Sequence, residues 1–246
     1  AAGDADVQLL RRTAPVPMAE PVRAVNRNAP MVLMTNLTIP IVMVFVLDDA
    51  TDRWLMMSWL TATFSVAVLR AGLSLLYWRA NPPPSEAVVW GRYFTFGALV
   101  SGSLWGVAGA LLAVPEAPAQ FSFIVMVLAG LGAASVISYA AYLPAFYAYF
   151  LPSLLPFAGT AFLGEADIQH GAAFGTLVYA GALSFFARNL HKVFAESVRL
   201  RFENVGLVKD LMLQKETAER ANAAKTRFLA AASHDLRQPL HALGLF

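Results

Sequence analysis

Six stretches of apolar residues, each at or near the roughly 20 residues that carry a helix across a ~30 Å hydrocarbon core, decide what this chain can become. They run Met31–Leu47, Trp54–Tyr77, Tyr93–Val114, Phe121–Ala140, Tyr142–Leu163 and Ala172–Ala187. The first is short and interrupted by Pro40, and the last is marginal in length. In lipid every backbone N–H and C=O must be satisfied within the protein, and a continuous apolar run achieves this as a helix. Composition agrees. Hydrophobic residues make up 58% of the chain and charged ones 14%, against about 25% charged in a soluble domain. An ordinary soluble globule and a disordered chain are both excluded. The expected fold class is all-α integral membrane, a six-helix transmembrane bundle with a helical C-terminal segment.

The connections give a direction. Asp48–Arg53 (DDATDR), Pro115–Ala119 (PEAPA) and Gly164–His170 (GEADIQH) hold one Lys or Arg among them. The other side holds Arg11, Arg12, Arg23 and Arg27 in the N-terminal tail, Arg79 and Arg92 between the second and third spans, and everything after Arg188. Lys and Arg favour the cytoplasmic side, so the N- and C-termini are expected inside, and an even number of spans requires the same. The net charge of +2, from 18 basic and 16 acidic residues, is too balanced for a nucleic-acid partner. Cysteine is absent, so no disulfide or thiolate metal site is expected. No secretory signal stands out at the start. The chain begins without Met and stops at Phe246 inside a helical pattern, and so reads as a fragment.

Arg70 is the one clear ionisable residue inside a span, about 8 residues or roughly 12 Å from Trp78. It either snorkels to the inner headgroups or contacts an anionic or carbonyl-bearing ligand. No Asp or Glu lies deep in any span, which speaks against a proton- or ion-coupled transporter. Gly102 and Gly106, four apart, suit close helix packing. The fifth span carries Pro144, Pro152 and Pro156 among aromatics, so a bent helix is expected. Tyr142, Tyr147 and Tyr149 there are candidate ligand contacts, with an interfacial aromatic belt as the plainer reading.

After the sixth span, Phe194, Val198, Phe202, Val205, Val208 and Met212 recur at three and four residues and mark one helical face. Arg199 with Glu203 and Glu216 with Arg220 sit four apart on its wet side. A parallel two-stranded coiled coil leaving the membrane is expected. Farther on, Leu229, Leu236, Leu240 and Leu243 share a face, and His234 falls off it towards solvent. Gln238 lies one turn beyond His234, and Pro239 should bend the helix. An exposed imidazole, neutral at pH 7, is nucleophilic enough to attack the γ-phosphoryl group of ATP if a partner such as Asp235 holds its other nitrogen's proton. An amide such as Gln238 could position water for the reverse removal of phosphate. Without such a role His234 would be an ordinary surface histidine, as read for His241, His191 and His170.

Phe228–Leu243 resembles the H-box of bacterial two-component sensor histidine kinases, whose usual form is Phe-Leu-x-x-x-Ser-His-Glu-Leu-Arg-Thr-Pro-Leu. Phe228, Leu229, Ser233, His234, Leu236, Arg237, Pro239 and Leu240 match; Asp235 stands for Glu and Gln238 for Thr or Asn. The resemblance implies His234 as phosphoacceptor, Asp235 as acid/base and Gln238 as the phosphatase-linked position. The His-Asp-Leu-Arg-Gln-Pro variant is similar to one common in hybrid kinases, which append a receiver domain. The expected organisation is then residues 1–30 as a cytoplasmic tail, 31–190 as a six-span sensor and 191–227 as a signalling helix or coiled coil, with 228–246, by the resemblance, as the start of a dimerisation and phosphotransfer domain. Full-length relatives use ATP and Mg; the Asn- and Gly-rich boxes that hold them are absent here, so no cofactor is expected in these residues.

The expected partners are a second copy of the chain, a response regulator or fused receiver, membrane lipids and a lipophilic small-molecule signal, in a bacterial inner membrane. The six-span architecture is similar to that of kinases that detect lipophilic quorum-sensing signals. The rival readings are a membrane-anchored dimeric scaffold and a small-molecule transporter with a helical tail.

Overall fold

In this computed structural model the described residues are 18–47 and 51–242, with side chains described as far as Leu229. Among them the secondary structure is helical throughout, without a strand. The helices are α1 (Ala19–Arg27), α2 (Ala29–Leu47), α3 (Arg53–Ala80), α4 (Ala87–Leu111), α5 (Pro118–Tyr139), α6 (Leu143–Leu163) and α7 (Asp167–Ala242), with a 3₁₀ turn at Pro84–Glu86. Six helical segments are long and apolar enough to cross a membrane, the first of them α1 and α2 together.

Local chemistry sets several ends. Asp52 caps α3 by accepting from the Trp54 amide at 2.8 Å. Asn81 ends it in the left-handed conformation, φ 40°, ahead of three prolines. Pro30 has no amide to give to the carbonyl of Asn26, and α1 and α2 are jointed just before it, at Asn28. That joint is tied across the bundle, since Asn28 Nδ2 donates to the carbonyls of Ile137 and Ser138 at 3.3 and 3.4 Å. Pro144 falls in the first turn of α6, where it interrupts no hydrogen bond, while α2 runs on through Pro40 and α6 through Pro152 and Pro156.

The tail expected over residues 1–30 therefore contains a helix. In α1, Val22, Val25 and Asn26 are buried and Arg23 and Arg27 face out. Val22, Tyr77 and Phe94 form a small cluster that holds α1 to α3 and α4. The polar composition of this stretch hides its one apolar face.

The tightest packing joins α4 to α6. A Cβ on Gly102 would run into the carbonyl of Tyr149, and one on Gly106 into the carbonyl of Pro152. Pro156 has no amide to meet the Pro152 carbonyl one turn back, and that carbonyl lies against Gly106 of α4. Glycine is required at both positions. The bundle's largely apolar core also encloses polar side chains, while its outer surface is apolar. Asn26, Asn36, Thr63, Ser74, Ser101, Ser135 and Ser138 are buried, whereas Phe45, Leu69, Phe96, Ile137 and Phe162 are exposed. That arrangement suits lipid, where outward apolar groups cost nothing and inward polar groups bond across helices.

Contacts divide the chain between Glu196 and Ser197. In the first unit α7 buries only Ala173, Ser184 and Ala187. In the second, α7 is the sole element; Arg199 pairs with Glu203 at 3.6 Å and Arg220 with Glu216, as the spacing predicts.

Candidate functional site

Arg70 lies about 10 residues, or roughly 15 Å, before the end of α3. Its side chain turns inward. The stem crosses α4 at Gly97, where a Cβ would stand 3.4 Å from Arg70 Cγ. The guanidinium donates from Nη1 to Ser101 Oγ at 2.9 Å and from Nη2 to Tyr139 Oη at 2.8 Å. Its Cζ also lies 5.9 Å from the Tyr139 ring centroid, within cation–π range. Tyr139 in turn packs on Tyr149, centroids 5.4 Å apart. Ser101, Tyr139 and Tyr149 are buried, so the charge is held among neutral groups from α4, α5 and α6.

Two further polar pairs flank this cluster. Ser74, one turn beyond Arg70 on α3, donates to Asn26 Oδ1 at 2.7 Å, and both residues are buried. Deeper along α2, Asn36 Oδ1 accepts from Trp105 Nε1 at 2.9 Å, while Asn36 Nδ2 donates to the Val32 carbonyl at 2.7 Å. Trp105 meets Trp59 edge to face at 5.3 Å, and Trp59 Nε1 donates to the Leu104 carbonyl at 2.8 Å.

The three tyrosines singled out on α6 occupy different surroundings. Tyr149 belongs to the Arg70 cluster through Tyr139. Tyr147 Oη accepts from Arg188 Nε of α7 at 3.0 Å. Tyr142, which starts α6, places its ring edge beside Gly91 of α4. Sequence spacing did not point to Tyr139, Ser101 or Asn26. Tyr139 ends an apolar run and looks interfacial, and Asn26 sits in a stretch that reads as polar tail.

A latch between α7 and the α5–α6 turn completes this end of the bundle. His191 Nδ1 lies 3.0 Å from the carbonyl of Ala140 and 3.2 Å from that of Ala141. Carbonyls only accept, so Nδ1 carries the proton. Elsewhere, a cleft of about 230 Å³ between α5, α6 and α7 is lined by Leu128, Leu154, Phe157, Gly175 and Tyr179, whose hydroxyl donates to the Ala129 carbonyl.

His234, Asp235, Gln238 and Pro239 lie on α7, which runs to Ala242; their side chains are outside the described residues. Among the described residues, no group of three His, Asp or Glu side chains comes together as a metal site. No family model, curated protein or solved structure matches this chain.

Proposed function

We propose that this chain is the sensor and acceptor part of a membrane-bound histidine kinase, in which a signal in or at the membrane controls phosphorylation of His234. The observation that carries the reading is the run Phe228–Leu243, with His234, Arg237 and Pro239 at the spacing of the H-box; its residues 228–242 lie on the same helix that forms the sixth apolar segment. A free ring nitrogen of His234 attacks the γ-phosphorus of ATP. The P–N bond forms as the bond to the β–γ bridging oxygen breaks, ADP leaves with that electron pair, and Asp235 takes the imidazolium proton. ATP and Mg would be held by an ATP-binding domain outside these residues, and the phosphoryl group would pass to an aspartate of a response regulator or fused receiver. Gln238 would orient water for dephosphorylation.

The termini would face the cytoplasm of a bacterial inner membrane, as the concentration of Arg and Lys on one side of the spans favours. Val205, Val208 and Met212 are exposed along the second unit, which supports a coiled-coil homodimer through that face. Labelled ATP given to the gene product extended beyond Phe246, in nanodiscs and with the His234→Gln variant beside it, tests the reading. Label on the parent and none on the variant is expected. Equal label on both overturns it.

A further inference from the structure

Arg70 is a charge without a counter-charge. A guanidinium has N–H donors to spare beyond the two that reach Ser101 and Tyr139, both of which are neutral. Among the described residues no carboxylate pairs with it, and the spans contain none at its depth. A second observation is independent of the first. Asn26, 1% exposed, has its Oδ1 occupied by Ser74, while its Nδ2 is buried with no partner at all. Buried amide hydrogens are rarely left so.

Both groups face one cavity. It holds about 20 Å³ and is lined by Asn26, Arg70, Ser74 and Tyr139, with the half-exposed Leu33 and Leu73 at its apolar margin. That space takes one atom the size of a water oxygen. Tyr139 accepts from Arg70 and still has its own hydroxyl proton to give. Residues of α1, α3 and α5 thus each bring a hydrogen-bond donor to the lining of one small cavity. A water there would satisfy Asn26, but it would leave the guanidinium unneutralised in a medium of low dielectric.

We propose that this cavity seats one oxygen of an anionic head group, carboxylate or phosphate, whose hydrocarbon portion lies along Leu33 and Leu73 in the bilayer. The charge selects an anion over a neutral carbonyl, and the small volume admits the oxygen while excluding the rest of the head. The occupied site lies next to the latch, since Tyr139 directly precedes Ala140, whose carbonyl holds His191. Any effect of the ligand on His234 rests on the kinase reading. The binding itself does not.

The test uses the intact gene product in phosphatidylcholine nanodiscs and radiolabelled dodecanoate, without ATP. Dodecyl phosphate, dodecanol and discs made with phosphatidylglycerol are the competitors. Saturable binding displaced by dodecyl phosphate, with dodecanol at least about tenfold weaker, is expected from a charge-assisted contact. Displacement by phosphatidylglycerol assigns the site to a bilayer lipid, and failure of that lipid to compete assigns it to a free amphiphile. Arg70→Gln should weaken binding by about tenfold or more. Asn26→Asp, nearly the same size, places a carboxylate in the cavity and should abolish binding while keeping the fold. It carries the test if Arg70→Gln does not fold. Gly130→Ala, with nothing within 4 Å of the added methyl, should bind like the parent. Dodecanol competing as well as the anions, no saturable binding of either anion, or Asn26→Asp binding like the parent each overturns the proposal. Loss of the kinase reading would show only as unlabelled His234, with the binding unchanged.

Discussion

His191 Nδ1 donates to the carbonyl of Ala140 at 3.0 Å, joining α7 to the turn that follows Tyr139. Three residues earlier on α7, Arg188 donates to Tyr147 just beyond that turn. With few buried side chains of its own, this stretch of α7 is held to the α5–α6 turn largely by two polar bonds.

His191→Leu should loosen that hold. Losing one such bond costs about 0.5–1.5 kcal/mol, so hydrogen exchange of the amides of residues 188–196 should rise by several-fold while α4 is unaffected. Unchanged exchange in 188–196 would mean the latch carries no load.

The glycine contacts predict a sharp contrast in the bundle. Gly106→Ala drives a methyl into the Pro152 carbonyl and Pro156 ring and should cost ~2 kcal/mol or more, read as thermal or denaturant stability in detergent. Gly130→Ala, with nothing within 4 Å of the new methyl, should be neutral or slightly stabilising. Similar losses at both sites would contradict the close approach of α4 and α6.

Asn36 and Trp105 should behave as a coupled pair. Asn36→Leu leaves the Trp105 indole N–H buried without an acceptor and should cost about 1–3 kcal/mol. Combining it with Trp105→Phe, which removes that donor, should cost less than the two single changes added together. Strict additivity in a double-mutant cycle would show that the hydrogen bond is energetically silent.

If helix phase transmits the signal to His234, inserting one residue near Lys215 should alter kinase output in membranes. Inserting seven should restore it, since seven residues return the face to nearly its starting direction. Equal output from both insertions would rule out phase as the carrier.

The spans were legible because lipid leaves an apolar run of such length one way to satisfy its own backbone. The expected Phe121–Ala140 and Tyr142–Leu163 agree with α5 and α6 to within a few residues. Arg70 was legible for a related reason, as the one charge the medium penalises. Its partners were not. Ser101 and Tyr139 lie on other helices, and a hydrogen bond between distant elements leaves no spacing in the sequence. The helix at Ala19–Arg27 was missed because its buried face amounts to Pro21, Val22, Val25 and Asn26, too few and too polar to stand out beside four prolines and arginines. The prolines of α6 are not equivalent. Pro144 sits where a helix has no amide bond to lose, a fact fixed by the helix start at Leu143 and not by the residue itself.

The seat of α7 has a mechanical meaning. Apart from Tyr179, which reaches α5 at Ala129 and Gly132, the side chains that α7 buries are the short ones of Ala173, Ser184 and Ala187. Resistance to twisting about the helix axis then comes mainly from Tyr179, Arg188 and His191, whose hydrogen bonds are short-ranged and directional. Such a joint does not yield in proportion to the torque applied. It holds, lets go within about an ångström of travel and settles where the next acceptors lie, like a detent on a shaft, so that a graded stimulus at the bundle would leave it as a discrete step.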